Sequence, residues 1–529
     1  MMFRSLSLAA CIALLADPVA AASVSRHEVG PWPVVSKLIG YRNDIWFANS
    51  VTGVNHNSAD LWSLPIAGGK PRYERHLFSQ DAGDPVVHRG LLYWPLEDGR
   101  AEPSIGAFDV TDGERWELGL IPGVQAFHVH AMTAAGEDLY AAPSAWKASI
   151  TRSRDGGDSW TNVYLHPTAD RRVSRITQLV ALDDRVVGAM NAPEGRKLIR
   201  VDDGSGEPVA GWPTDQRFAD LIEHQGDLYG LVKGQGSSTI WQSDGDQSSK
   251  IWTAPDDWDS LALTSDDKAF WLVGQGGGVS ELWTSSDARN WRYVADLEGG
   301  MPSSILAYRD VIAIGGQSDQ NRGVLWHVRF GSPGENIDET PAWPPFGKEI
   351  PTSGFNWSEA ADRIDGILSN LGDDKRGHQL GKEVMALPRS SVPATFYNDR
   401  LRVDMPDEPF PMFGDIVLPE AAMIGRWYLY WGMGLSRTGQ VDPVDILRPR
   451  DYAPNGPFKY FSSAEIAMWA AGRIGRPDPG VLDAIIRRIE DRETPLWLKG
   501  DAVGALNAIT GQRLGYDGQA WRAWLDQQS

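Results

Sequence analysis

Apolar and polar positions over the first 335 residues repeat as one local pattern. A turn of charged or small residues is followed by an apolar pair with an aromatic or β-branched member: YRNDIWF, HRGLLYW, AGEDLYA, LDDRVVG, HQGDLYG, SDDKAFW and YRDVIAI. The anchors Trp46, Tyr93, Tyr140, Val187, Tyr229, Trp271 and Ile312 are spaced by 47, 47, 47, 42, 42 and 41 residues. Each is followed 11 to 16 residues later by a second strand-like run, such as DLWSL, KLIRV or ELWTS, and is preceded by another apolar stretch, such as ITQLVAL or ILAYRD. A unit therefore reads strand, tight turn, strand, longer loop, strand, tight turn, strand, with apolar residues at period two. Four antiparallel strands in 41 to 47 residues is the size of a propeller blade, and seven units predict an all-β seven-bladed propeller over residues 32–335.

The sharpest local signal lies in the third unit, Ser153-Arg154-Asp155-Gly156-Gly157-Asp158-Ser159-Trp160. It resembles the Asp box, S-x-D-x-G-x-x-W, of sialidases and related BNR-repeat propellers. A shortened relative, Ser285-Ser286-Asp287-Ala288-Arg289-Asn290-Trp291, stands in the sixth unit, and the fifth keeps Ser243-Asp244-Gly245. The resemblance implies a structural role for Ser153, Asp155, Gly157 and Trp160: the carboxylate caps turn amides, glycine permits positive φ, and the indole covers the blade edge. It also invites a sialidase reading, but that chemistry in the family needs a carboxylate-gripping arginine triad, a Tyr–Glu pair and an F/Y-R-I-P motif. The closest string here, Tyr41-Arg42-Asn43-Asp44, lacks Ile-Pro and falls at a turn between strands. Fold alone does not carry the activity.

Beyond residue 335 prolines at 341, 344, 345 and 351 mark a linker over 336–357, and helical periodicity replaces strand patterning. Candidate helices fall at 358–369, 418–432, 462–474, 480–491, 496–509 and 518–526, giving an all-α domain over 358–529. Its last stretch, 460–529, resembles bacterial HEAT-like hairpins through AAGRIGRPDPGVLDAIIRRIED and the ending ITGQ, GYD, AWRAWL. An aromatic cluster, Trp427, Tyr428, Tyr430 and Trp431, reads as core packing or as a surface docked on the propeller.

At the N-terminus, Arg4, an apolar run from Leu6 to Ala16 and the sequence Ala20-Ala21-Ala22 describe a secretory signal peptide over residues 1–22. Periplasmic or extracellular localisation follows. The single cysteine, Cys11, falls inside this segment, and the apolar run continues past it, unlike a lipoprotein box. The mature chain would carry no disulfide and no cysteine metal site. A net charge of −20, from 50 basic and 70 acidic residues, opposes a general nucleic-acid binder. No later run of 18 apolar residues predicts membrane insertion.

In such a propeller the loops entering the innermost strands share one face with the loops between second and third strands, and ligand sites gather there. That face receives Asn49, His56, Asp84, His128, His130, Trp146, Lys147, Arg175, Asp220 and Asp259. His128-Val129-His130 is the best chemical candidate, because alternate strand residues point the same way with imidazoles roughly 6.6 to 7 Å apart. The pair could share a metal with His56 or Asp84, serve as a general base, or simply hydrogen-bond at the channel mouth. Asp84, Trp146, Lys147, Arg175, Asp220 and Asp259 are the expected ligand contacts, with Trp146 suited to stacking on a sugar ring. No phosphate-loop, nucleophile-elbow or zinc-protease motif occurs, and no cofactor is implied. The leading expectation is an exported binding or scaffolding propeller for a glycan or protein partner. The competing one is a carbohydrate-active enzyme, a sialidase-like hydrolase or a polysaccharide lyase.

Overall fold

The computed structural model describes residues 23–330 and 479–528, apart from 52–58, 78, 80, 97–103, 127, 145–146, 168–173, 203–204, 234–236 and 257. The expected signal peptide over 1–22, the expected linker over 336–357 and the candidate helices at 358–369, 418–432 and 462–474 lie outside the described residues, as does the aromatic cluster around Trp427.

Seven four-stranded antiparallel sheets follow one another along residues 23–330. Each anchor residue is the second or third of its blade's second strand, third for Trp46 in Asp44–Ser50 and second for Ile312 in Val311–Ser318. These second strands are buried almost throughout, as in Asp138–Ser144 and Phe270–Gly276. The reason is that each blade is packed on both faces by its neighbours, which removes the pressure for a polar side. Outer strands such as Arg292–Asp296 lack that cover and are largely exposed. The core is therefore distributed between blades: Ala142 and Ile150 of the third meet Ile176, Val186 and Ile199 of the fourth.

The tight turns between first and second strands need positive φ at their first residue, the geometry that matches strand twist in two-residue hairpins. Arg42, Arg89, Gly136, Asp183, Gln225 and Arg309 adopt it, with φ between 50° and 57°. The turn Ser153–Trp160 is stapled by its own side chains. Ser153 Oγ accepts the Gly157 N–H at 2.8 Å and donates to Asp155 Oδ1 at 2.8 Å. Asp155 in turn accepts the Ser159 N–H at 2.9 Å, and the Trp160 indole donates to the Gly157 carbonyl at 3.0 Å. Gly157 sits at φ 104°, closed to residues with a Cβ.

The ring closes through a strand that the repeat pattern does not mark. β1, Ser23–Val29, pairs antiparallel with the third strand of the seventh sheet in register from Ser23↔Arg329 to Val29↔Gly323. The last blade is thus built from both ends of the propeller sequence. Val29 is 1% exposed and joins Val35, Phe47 and Leu325 in the core between the last and first blades.

Three helices are described in the C-terminal part: α1 Pro479–Glu490, α2 Leu496–Thr510 and α3 Gly518–Gln528. They match the last three expected helices, and α1 packs on both α2 and α3. Three helices are too few to establish a HEAT-like domain. α2 lies against the outermost strand of the first blade, Arg72–Leu77. The approach is close at Gly500, where a Cβ would stand 2.6 Å from the His76 ring.

Candidate functional site

The mouth of the central channel is built from irregularities in the innermost strands. Register shifts fall between Ser36 and Ile39, Val129 and Met132, Ile176 and Gln178, Phe218 and Asp220, Ser260 and Ala262, and Pro302 and Ser304. A bulge inserts an unpaired residue and re-aims its neighbours, so at the same height in blade after blade polar groups turn from their own sheet toward the next. Asp84 donates its N–H to the His130 carbonyl at 2.8 Å and accepts the Met132 N–H at 3.0 Å. Gln178 Nε2 reaches the Ala219 carbonyl at 2.8 Å, Asp220 Oδ2 accepts the Leu263 N–H at 2.8 Å, and Ser304 Oγ donates to the Val35 carbonyl at 3.3 Å. These bonds seam adjacent blades around the channel.

Charge enters the same ring. Lys37, held at φ 54°, places its ammonium 2.5 Å from Asp84 Oδ1. Asp81 lies beside this pair, and burial, opposed chiefly by Lys37, raises its carboxyl above the usual range. Asp220 is pushed up to about 7, first by burial and then by Asp84, while the Leu263 N–H, Lys233 and Lys37 pull it back. A carboxyl that is part-protonated at neutral pH has been placed in the channel wall.

His128 and His130 open the innermost strand of the third blade, and the register pairs His128 with Ser144 at the start of the second-to-third-strand loop. Both therefore stand on the expected face. Their rings are closer than simple alternation gives: the centroids are 5.2 Å apart and stacked at 17°, because the bulge that follows Val129 ends the regular spacing. Burial, followed by His128, Arg175 and Lys37, holds His130 well below the usual histidine range. It is a neutral imidazole at pH 7. Among the described residues no three His, Cys, Asp or Glu side chains converge as metal ligands, and His56 lies outside them.

The other expected contacts divide. Arg175 begins the innermost strand of the fourth blade opposite Asn191, within electrostatic reach of His130. Asp259 is exposed at the rim, 3.9 Å from Lys233, and Lys147 is exposed in its loop. Trp146 lies outside the described residues. Asn49 is not a rim residue: it is fully buried, accepting the Trp32 N–H at 3.1 Å and donating to the Trp32 and Val34 carbonyls at 2.9 Å. Lys37, Asp81 and Gln178 complete the mouth and carry no signal in sequence, since each owes its place to a bulge or a bend.

The Asp220 environment gives a pH prediction. Its folded pKa lies above the ordinary aspartate value, so the folded state holds the proton more tightly than the unfolded chain. The stability it contributes is full below about pH 4 and is lost as pH rises to about 7. Asp220→Asn, which keeps an oxygen for the Leu263 N–H and cannot ionise, should match wild type at pH 4 and melt several degrees higher at pH 8. Equal melting curves at pH 8 would remove the strained carboxyl from the account.

No family model and no curated protein matches the chain. Among solved structures the chain is similar to YCF48 from Cyanidioschyzon merolae, with 12% identity and a TM-score of 0.41 over 57% of this chain and 98% of that one. It is also similar to the WD40 β-propeller domain of Doa1, with 12% identity and a TM-score of 0.39 over 59% of this chain and 98% of that one. The WD40 domain of Neurospora crassa Pan2 gives 10% identity and a TM-score of 0.40 over 57% of this chain and 90% of that one. Among the described residues no helix is long and apolar enough to cross a membrane.

Proposed function

We propose that the protein is an exported binding or scaffolding propeller whose channel mouth, on the His128 face, takes a neutral, hydroxyl-rich glycan. The observation that carries this reading is that several charged groups of the mouth are paired with one another or with backbone. Lys37 faces Asp84, Asp220 holds the Leu263 N–H, and His130 is neutral. Such a rim offers hydrogen-bond donors and acceptors without a net field, which suits hydroxyls better than ions. Export to the periplasm or beyond rests on Arg4, the short apolar run and Ala20-Ala21-Ala22; cleavage after Ala22 would make Ser23, the first residue of β1, the mature terminus. The Asp-box and HEAT-like resemblances fit a protein assembled from interaction modules.

The reading is tested on a panel of immobilised glycans with the secreted chain. Lys147→Glu, in the exposed loop between second and third strands, and Trp146→Ala, its neighbour in sequence, should each weaken the best glycan about tenfold or more with an unchanged unfolding midpoint, as loss of an aromatic or hydrogen-bonded contact does. Binding indifferent to both substitutions would place the partner elsewhere.

One observation favours the enzyme reading as a second. Asp220, pushed up to about 7 by burial and then by Asp84, is a carboxyl group that can hold or give up a proton near neutral pH, the property a general acid in glycoside hydrolysis needs.

A further inference from the structure

The face opposite the channel mouth carries a pocket of about 520 Å³ between the first two blades and the C-terminal segment. Its walls are Tyr41, Trp46 and Tyr73, with the Asp112-Gly113-Glu114 turn of the second blade on one side and Arg513 on the other. Most of its charges are already matched. Arg72 meets Asp44 at 2.8 Å, Arg513 meets Glu74 and donates to the Gly113 carbonyl at 2.7 Å, and Arg115 holds Asp112 at 2.7 Å. Arg42 differs. Its guanidinium lies over the Tyr41 ring at 5.1 Å, its Nε is buried without a hydrogen-bond partner, and it forms no ion pair among the described residues.

We infer that this pocket binds a small monocarboxylate with a planar apolar body, the carboxylate on Arg42 and the body between the aromatic rings. The half-buried Arg42 guanidinium lines the pocket in no ion pair among the described residues, and a planar carboxylate is the anion whose geometry it fits. The aromatic walls supply the apolar area, and the volume lies within the range of small-ligand sites. Glu114 at the rim, with Asp44, Glu74 and Asp112 behind it, repels phosphates and diacids, which selects a single negative charge.

The site is incomplete without the C-terminal segment, because Arg513 forms one wall and Tyr73, another lining residue, donates to Asn507 of α2 at 3.2 Å. Ligand and docking are thereby linked: a molecule that binds only the docked form holds the segment in place, and reciprocally. This inference stands apart from the channel mouth and survives if no glycan binds there.

Calorimetry on the full chain with two acid and alcohol pairs, indole-3-acetate with indole-3-ethanol and benzoate with benzyl alcohol, tests it. At least one acid should bind saturably and at least tenfold more tightly than its alcohol. Arg42→Gln should abolish that preference, and the bound acid should slow amide exchange at 511–517. The wild-type comparison decides the matter even if the variant folds poorly. Acids and alcohols binding alike, or neither binding, would overturn the inference, as would an acid preference retained by folded Arg42→Gln.

Discussion

Asp60→Ala is expected to destabilise the protein by about 3 to 5 kcal/mol, the range found when one partner of a fully buried polar cluster is removed. Asp60 is 0% exposed and accepts from three directions: the Trp32 indole N–H at 2.8 Å, His76 Nδ1 at 2.7 Å and the Tyr516 hydroxyl at 2.8 Å. Alanine leaves all three without an acceptor in a site that water does not reach, and each unsatisfied polar group costs about 1 to 3 kcal/mol. Burial, followed by Asp60 itself, pushes the Tyr516 phenol well above its usual value, so it remains a donor at every physiological pH. Because Tyr516 belongs to the C-terminal segment, the same substitution should free residues 511–517 for proteolysis. Tyr516→Phe separates the two effects: it removes one hydroxyl, costs about 1 kcal/mol, and should loosen the segment while the propeller melts near the wild-type temperature. An Asp60→Ala protein with wild-type stability and a protected segment would contradict this account of docking.

Removing β1 should be as severe. Deletion of residues 23–29 strips the seventh sheet of its outermost strand, uncovers the edge of Gly323–Arg329 and empties the place of Val29. Burial of a valine is worth about 1.5 to 3 kcal/mol, and each net ladder hydrogen bond adds about 0.5 to 1.5, so the loss should exceed about 3 kcal/mol. The shortened chain should also self-associate through the bared edge. A synthetic peptide SVSRHEV added in excess should restore the melting temperature in part, since it can reoccupy the vacated edge. A deletion protein that melts within about 2 °C of the full chain and stays monomeric would show that the ring closes by other contacts.

Both predictions rest on features that were hidden in the sequence, and the reason differs from the one that made the blades readable. The seven anchors are local: each is set by a turn two residues before it and an apolar strand around it, so Trp46, Tyr140 and Ile312 declare their blades without reference to distant chain. β1 has no such turn. The sequence SVSRHEV is mostly exposed in the structure, alternates poorly, and is a strand only because an edge some 300 residues later requires a partner. The Asp60 cluster joins residues 32, 60, 76 and 516, and nothing in a short window marks an aspartate for burial. The channel mouth was half legible. Strand order fixes which end of each strand faces which way, and it puts Asp84, His128, His130, Arg175 and Asp220 at one end of the ring. Lys37 and Gln178 were missed because bulges, not alternation, turn them inward, and Asn49 was misplaced because its amide knots the entry of the first blade.

The central claim is that the channel mouth binds and does not cleave. It is tested most directly by incubating the purified chain in excess with the tightest-binding glycan from the panel for many hours, near pH 7, about where burial pushes the Asp220 carboxyl, and then analysing the sugar by mass. Intact glycan should be recovered in full, with binding sensitive to Lys147→Glu. Glycan shortened by wild type but not by Asp220→Asn would contradict it and make the mouth a catalytic centre.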